Sequence, residues 1–326
     1  MNLKEKLRSR LFIIALSVVV LIVIAVSLQS VLLKKSPDPG TGIAYTYYNN
    51  FLIFRGSFYH LLDNQDLYQS YPQEHYDLYK YSPTFAVLFA PLALLPAKAG
   101  LFFWNLLNAL VLFFAFWKLP LLTDKKKLPA LGLVLIELVT SLQNSQSNAL
   151  MAGLIILAFV FLEKDNPWIA SLFIILSVYI KIYSIVGLVM FIFYPKKVRS
   201  ALLILGWVVI LGLLPLVIAS PEHLVQQYQS WFGLLRQDHA VFGGMSVMSW
   251  LRSWFGLEIN KNAVVLAGAV LLLLPLVRIK EYNNQAFRMA FLASLMIWMV
   301  IFNHMAESPT FVIAVSGVAA WFFMKE

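Results

Sequence analysis

The chain has 326 residues and a net charge of +9, and 60% of its residues are hydrophobic. Together with a mean hydropathy of +0.77, this composition indicates a protein embedded in lipid and excludes an ordinary soluble domain. The basic residues lie mostly in short loops between apolar segments, which excludes nucleic-acid binding as their purpose, and the absence of cysteine excludes disulfides and cysteine-based metal sites.

The first apolar segment covers residues 11–33 and follows a basic terminus that carries Lys4, Lys6, Arg8 and Arg10. A signal peptide is the competing interpretation, but its apolar region is only about 7–15 residues long and ends at a small-residue cleavage site. This segment is longer and has no clear cleavage site. We therefore predict an uncleaved first helix with its N-terminus in the cytoplasm.

The rest of the chain alternates between loops and further apolar segments. Residues 34–81 are predicted to form a first outer loop, and the apolar run 83–95 is shorter than the ~20 residues that a spanning helix needs, so we expect it to be re-entrant or interfacial. Spans are predicted at 98–117, 128–142, 146–162, 167–181, 183–194, 199–219, 261–278, 286–303 and 309–324, with a second large outer loop at 220–260. The prediction is one integral membrane domain, 1–326, with about ten helices (±2) and both termini in the cytoplasm.

The loops on the two predicted faces differ in composition. Basic clusters fall on the cytoplasmic side, at 118–127, 196–199 and 278–288, and so does the charged turn Glu163-Lys164-Asp165. Tyr, Trp, Asn, Gln, His and a few carboxylates gather on the outer side, at 34–81, 143–148, 181–183, 220–260 and 303–308. Because polar groups are costly inside lipid, this asymmetry predicts a membrane-embedded site that opens to the outer face of the plasma (inner) membrane.

An amphipathic helix is predicted in the first outer loop, because apolar positions at 51, 54, 58, 61 and 62 follow a helical period. We expect this helix to lie on the membrane surface. The aromatic residues around it fit an interfacial belt, and they equally fit a surface that stacks against sugar rings. Composition does not separate these two interpretations.

Several short motifs follow one another along most of the chain. They are Asn50-Phe51, Gly56, Asp66-Leu67-Tyr68, Tyr81-Ser82-Pro83-Thr84-Phe85, Trp104-Asn105-Leu106-Leu107-Asn108, Gln146-Ser147-Asn148, Lys181, Gly244-Met245-Ser246-Val247 and the stretch 304–309. In this order they resemble glycosyltransferase family 87, whose members are membrane enzymes of the GT-C fold. The resemblance implies an all-α polytopic membrane protein, a GT-C-like bundle with extracytoplasmic loop helices. It also implies transfer of a hexose or pentose, usually mannose, from a polyprenyl-phosphate carrier to a glycan or glycolipid acceptor.

Asn50 departs from the family pattern, because the resemblance implies an acidic general base at this position. An amide is a poor proton acceptor, so another carboxylate must serve as the base, or the chain is catalytically silent. The candidate carboxylates are Asp63, Asp66, Glu74, Asp77 and Glu307, of which Asp66 is expected to cap a turn instead. We predict Glu307 or Asp77 as the base, with His304 and Asn50 completing the catalytic set.

Lys181 is the main candidate for substrate binding, because a cation at the end of an apolar helix is costly and would suit the donor phosphate, although snorkelling is the alternative. Arg236 and His239 form a second outer cationic cluster, for which a hydrated loop is the alternative. The other predicted substrate-binding residues are Tyr81, Arg55, Gln146 and Asn148. No metal ligand or cofactor is assigned, and dependence on a divalent cation stays open, because the first outer loop has no Asp-x-Asp motif.

Three functions remain in competition: a glycosyltransferase, a catalytically silent relative that binds lipid-linked sugar, and a transporter or flippase. Transporters tend to carry polar residues at mid-membrane in repeated halves. Here the spans carry few charges near their centres, with Glu137 as the exception, and no repeat is evident. We therefore expect a transferase whose partners are a polyprenyl-phosphate sugar, a glycan or glycolipid acceptor and membrane lipid.

Overall fold

A computed structural model describes residues 3–40, 42–240 and 244–325, and the regular structure within these ranges is helical throughout. The α-helices are α1 (Leu3–Leu32), α2 (Asn49–Leu62), α3 (Pro83–Leu88), α4 (Ala90–Ala93), α5 (Ala97–Lys118), α6 (Asp124–Gln143), α7 (Asn148–Glu163), α8 (Pro167–Ile180), α9 (Lys197–Leu213), α10 (Pro221–Ala240), α11 (Val247–Phe255), α12 (Lys261–Leu273), α13 (Gln285–Ile301) and α14 (Phe311–Lys325). The 3-10 helices are Ile182–Phe193, Leu214–Val217, Leu274–Val277, Ile279–Glu281 and Ser308–Thr310.

Three helical segments in the described part of the chain are long and apolar enough to cross a membrane: Arg10–Leu32, Ala97–Lys118 and Lys197–Val217. Shorter apolar helices cover Asn148–Glu163, Pro167–Ile180, Ile182–Phe193, Lys261–Val277, Gln285–Ile301 and Ser308–Met324. The helices coincide closely with the spans predicted from 98 onward. The predicted class, an all-α polytopic membrane protein, is confirmed.

α7 forms the centre of the bundle. Its residues are apolar on every face, which is the pattern of a helix surrounded by other helices, and it packs against α5, α8 and α14. Gly153 lies where α7 approaches the backbone of α5 closely, because a Cβ atom there would be 2.9 Å from the backbone nitrogen of Leu112. A larger residue would push the two helices apart.

α9 and α12 lie at the periphery and turn apolar side chains outward. Leu202 and Val209 on α9, and Leu266 and Leu271 on α12, are exposed. Contiguous exposed apolar surface of this kind marks a membrane or protein contact, and lipid chains cover it in a polytopic membrane protein.

α2 confirms the predicted helix in the first outer loop but corrects its position. Phe51, Phe54 and Phe58 on its apolar face are buried. The ring of Phe54 lies 5.3 Å from that of Phe85 and 5.6 Å from that of Trp104, at angles typical of edge-to-face packing. The prediction that this helix lies on the membrane surface is therefore wrong, because its apolar face covers the bundle.

The apolar run 83–95 forms α3 and α4, which have six and four residues. Ser82 caps α3, since its Oγ accepts a hydrogen bond of 3.2 Å from the backbone N–H of Phe85. Both helices pack against α2. As predicted, neither is long enough to cross a bilayer.

Polar contacts tie together the end of the bundle that carries the basic clusters. Glu163, at the end of α7, accepts hydrogen bonds from Arg288 Nε at 2.6 Å and Nη2 at 2.8 Å, and from the hydroxyl of Tyr194 at 2.5 Å. Lys127 Nζ donates to the carbonyl of Trp117 at 2.6 Å, which joins α6 to α5. These contacts hold the helix ends together opposite the loops that carry the candidate site.

Candidate functional site

The loops predicted to share the outer face meet around one large cavity of about 750 Å³. Its walls come from the end of the first outer loop, the α6–α7 turn, the break after α8, the end of α10 and the α13–α14 turn. The lining residues are Asn50, Ile53, Asp77, Leu78, Lys80, Tyr81, Gln146, Lys181, Ile182, Tyr183, Phe232, Leu235, Arg236, Val265, Trp298, Met299, Phe302, Asn303, His304, Met305, Glu307 and Thr310. The volume falls within the ~300–1,000 Å³ of ordinary small-molecule sites.

Lys181 lies between α8 and the 3-10 helix Ile182–Phe193. Its backbone is extended, with φ −139° and ψ 117°, so the chain changes direction there and the side chain turns into the cavity wall. Nζ donates to Asn148 Oδ1 at 2.7 Å and to Gln146 Oε1 at 3.4 Å, and it lies 5.6 Å from the centre of the Tyr81 ring. One cation is thus held by three neutral side chains.

The electrostatic state of Lys181 follows from this setting. Burial lowers the pKa of its ammonium to about 8, and the negative charge of Glu307 acts in the opposite direction. Burial also raises the pKa of Tyr81, so its hydroxyl stays protonated and donates to Gln146 Oε1 at 3.2 Å. At neutral pH the cavity therefore contains a lysine that is mostly charged and can accept an anionic partner.

Asp77 and Glu307 reach the cavity from different segments, the first outer loop and the α13–α14 turn. Asp77 has a left-handed backbone with φ +74°. Its Oδ1 accepts from the N–H of Leu78 at 2.7 Å and lies 3.8 Å from Lys80 Nζ. Glu307 precedes the 3-10 helix Ser308–Thr310, and its backbone N–H donates to Thr310 Oγ1 at 3.3 Å. The two carboxylates thus share one cavity with the ammonium groups of Lys80 and Lys181.

Asn50 forms part of the cavity wall near the α6–α7 turn. Its Nδ2 donates to the carbonyl oxygen of Asn144 at 2.8 Å. The amide nitrogen is therefore committed to a structural contact, which leaves Oδ1 as the polar atom able to accept a hydrogen bond from a ligand.

Most of the predicted site residues line the cavity: Glu307, Asp77, His304, Asn50, Lys181, Tyr81, Gln146 and Arg236. Asn148 stands behind Lys181 and contacts it. Arg55 is not brought to the cavity, because its Nε donates to the carbonyl of Ala93 at 3.2 Å and its guanidinium lies over the Tyr59 ring. The side chain of His239 lies outside the described part of the chain. Asp66 caps a turn as expected, with Oδ1 accepting from Tyr68 N–H at 3.0 Å.

Sequence reasoning missed several lining residues. Lys80, Tyr183 and Asn303 adjoin predicted residues, and the adjacency of Asn303 to His304 was the available signal. The apolar wall was also missed; it consists of Ile182, Phe232, Leu235, Val265, Trp298, Met299 and Phe302. These residues come from four distant segments, some in predicted spans and others in the predicted outer regions 181–183 and 220–260. As single apolar residues they form no local pattern that marks a site.

Within the described ranges, no group of three or more His, Asp or Glu side chains is arranged to hold a metal ion. Comparison with known proteins gives one family. Residues 79–302 match the family model of glycosyltransferase family 87. A comparison with curated proteins finds no match.

Proposed function

Because the chain belongs to glycosyltransferase family 87, we propose that it moves a hexose or pentose, with mannose as the first candidate, from a polyprenyl-phosphate carrier to a glycan or glycolipid acceptor. We further propose that the cavity opens to the outer face of the plasma membrane and that both termini are cytoplasmic. The positive-inside rule supports this orientation, because the basic clusters lie at the opposite end of the bundle.

The observation that carries the proposal is the composition of the 750 Å³ cavity. One wall holds the Lys181 ammonium, which suits the donor phosphate, because charge-assisted hydrogen bonds to phosphate are strong. Another wall is apolar, formed by residues such as Val265 on α12 and Phe302 beside that helix, and suits the first isoprene units. A polyprenyl-phosphate sugar needs both surfaces, since its tail lies in lipid while its head reaches water.

The proposed reaction joins the acceptor oxygen to the anomeric carbon and breaks the bond between that carbon and a phosphate oxygen. Lys181 holds the departing phosphate, and a carboxylate takes the proton of the acceptor hydroxyl. We favour Glu307 as this base, because the Asp77 carboxylate faces the competing ammonium of Lys80 at 3.8 Å, whereas Glu307 makes its capping contacts with neutral Thr310 in its own turn. His304 lines the same cavity and can orient the hydroxyl.

A catalytically silent, sugar-binding relative is the second candidate. The observation that favours it is Asn50, an amide bonded to the Asn144 carbonyl at the position where the family pattern has an acid. A transporter has no comparable support, since the polar residues of the cavity come from helix ends and loops.

Transfer of radiolabelled mannose from polyprenyl-phosphate mannose into membrane acceptors tests the proposal. Wild type and the control Glu222→Gln, which changes an exposed carboxylate at the start of α10, should show transfer. Glu307→Gln combined with Asp77→Asn should lose about 10²–10⁴-fold, as expected when a general base is removed. Absence of transfer by wild type favours the silent relative, and full activity of the double variant contradicts the proposed base.

A further inference from the structure

A second cavity, of about 300 Å³, lies at the end of the bundle that carries the candidate site and has no role in the scheme above. It is lined by Gln29, Ser30, Leu33, Lys35, Tyr47, Gln143 and Asn144. These residues belong to the end of α1, the start of the first outer loop and the α6–α7 turn. We propose that this cavity binds the saccharide of a glycolipid acceptor; the inference rests on the proposed function.

The chemistry of the lining fits a sugar. The side-chain amides of Gln29, Gln143 and Asn144 line the small cavity together with a hydroxyl, an ammonium and an aromatic ring. Sugar hydroxyls bond to the polar groups, and the apolar face of a sugar ring packs on the aromatic ring. Gln143 Nε2 donates to Gln29 Oε1 at 2.9 Å, which fixes both amides across the cavity between α1 and α6. Lys35 Nζ stands 5.1 Å from the centre of the Tyr47 ring, and Tyr47 is 40% exposed.

The two cavities adjoin at a single hydrogen bond. Asn50 lines the large cavity, Asn144 lines the small one, and Asn50 Nδ2 donates to the Asn144 carbonyl at 2.8 Å. In the proposed complex, a saccharide in the small cavity extends one hydroxyl past Asn50 towards the donor sugar. Asn50 Oδ1 becomes a positioning group for that hydroxyl, which gives the amide a role that needs no proton transfer.

Lipid attachment of the acceptor follows from the surface beside the small cavity. Leu28, Leu32 and Leu33 at the end of α1 are 55%, 74% and 47% exposed. Because α1 is a candidate membrane span, this surface faces lipid, and Leu33 belongs to both the surface and the cavity. An acyl or prenyl chain can lie along α1 while its sugar enters the cavity.

The kinetic test uses the double variant Gln29→Ala/Gln143→Ala, which removes both partners of one hydrogen bond and leaves neither unpaired. The control is Gln226→Ala, an exposed glutamine on α10 outside both cavities. Transfer from radiolabelled polyprenyl-phosphate mannose is measured against a lipid extract and, separately, an aqueous glycan extract of membranes. The double variant should raise the half-saturating amount of lipid extract about tenfold, equivalent to about 1.4 kcal/mol.

The outcomes separate the inference from the proposed function. Three results overturn the inference and leave the proposed transferase activity intact. The double variant could show an unchanged half-saturating amount of lipid extract, or an equal rise in the half-saturating donor concentration. Alternatively, wild type could transfer mannose into the aqueous extract alone. If wild type shows no transfer, a photoreactive amino acid at Leu33 still tests the cavity in native membranes, with lipid-facing Ile136 on α6, 68% exposed, as the control. A carbohydrate-positive adduct at Leu33 but not Ile136 supports the site, and no adduct at Leu33 overturns it.

Discussion

Lys181 shows how a single residue can be prepared for an anion. Its ammonium donates to the amide oxygens of Asn148 and Gln146, which hold it in place without neutralising its charge. Burial makes the free charge costly, which is why the pKa is lowered to about 8. A bound phosphate would offset this cost, so the charged form of Lys181 is more favourable in the complex than in the empty cavity.

The first prediction concerns pH. Lysine binds phosphate only while protonated, so the lowered pKa means that donor affinity is present below about pH 8 and lost as the pH rises through that value. Equilibrium binding of radiolabelled polyprenyl-phosphate mannose should weaken about tenfold per pH unit above this point. Lys181→Arg keeps its charge to much higher pH and should flatten the profile, while Lys181→Ala should bind about ten- to a hundredfold more weakly at pH 7. Equal profiles for wild type and Lys181→Ala would leave Lys181 as a snorkelling anchor.

The second prediction concerns Asn50. Replacement by Asp removes the N–H that donates to the Asn144 carbonyl and places a carboxylate against that oxygen. We expect Asn50→Asp to change transfer by less than about tenfold, because the proposed base is Glu307, and to lower stability by about 1 kcal/mol through the lost hydrogen bond. A gain of transfer from an inactive wild type would instead identify a silent relative.

Sequence reasoning reached most of the cavity because polar residues in outer loops are rare in an apolar chain. It failed for Arg55, whose guanidinium turns to the Ala93 carbonyl, since one sequence does not reveal the direction of a half-buried side chain. Sequence reasoning also identified no side chain of the protein that contacts Lys181. The contact with Asn148 joins the start of α7 to the end of α8, and only the packing of these helices brings the two residues together.

At the scale of elements, helix boundaries were predictable where apolar runs ended at charges or prolines. α2 was the exception: its helical period was recognised, but its buried face was assigned to lipid. An amphipathic pattern predicts that one face avoids water and does not say whether lipid or protein covers it. The aromatic cluster of Phe54, Phe85 and Trp104 decides in favour of protein.

The third prediction tests the contacts that tie helix ends opposite the cavity. The side chains of Glu163 and Arg288 are 6% and 14% exposed and share two hydrogen bonds. Glu163→Gln leaves the guanidinium without its counter-charge, so we expect a loss of about 3–5 kcal/mol in unfolding free energy. The control Asp165→Asn breaks the exposed pair with Lys196, 2.6 Å apart, and should cost at most about 1 kcal/mol. Thermal unfolding in detergent compares them, and equal shifts in the two variants would refute a special role for Glu163.

At the scale of the whole molecule, the two ends of the bundle have different chemistry. One end is tied by ion pairs among basic loops, and the other gathers the cavities. This difference between the two ends was predictable, because the positive-inside rule is read from the charges of each loop. An error of a few residues in the bounds of one span does not change those charges. The cavities themselves were not predictable from the sequence, since the wall of the large cavity combines residues as distant in the chain as Asn50 and Val265.

The last prediction tests the orientation with an impermeant maleimide in intact cells, for which the native chain is suited because it has no cysteine. Cysteines at Ser70 and Ser308, both exposed, should label at once, and one at half-buried Ser230, whose Oγ donates to Asp66 Oδ2 at 3.0 Å, should label more slowly. Ser200 is 4% exposed and would stay unlabelled on either face, so Val198, 75% exposed, is the sharper choice for the cytoplasmic end. Val198→Cys should react only after permeabilisation. Labelling of the cysteines at positions 70 and 308 on opposite faces would contradict a shared outer site. Labelling of Val198→Cys in intact cells would reverse the proposed orientation, because the two ends of one bundle face opposite sides of the membrane.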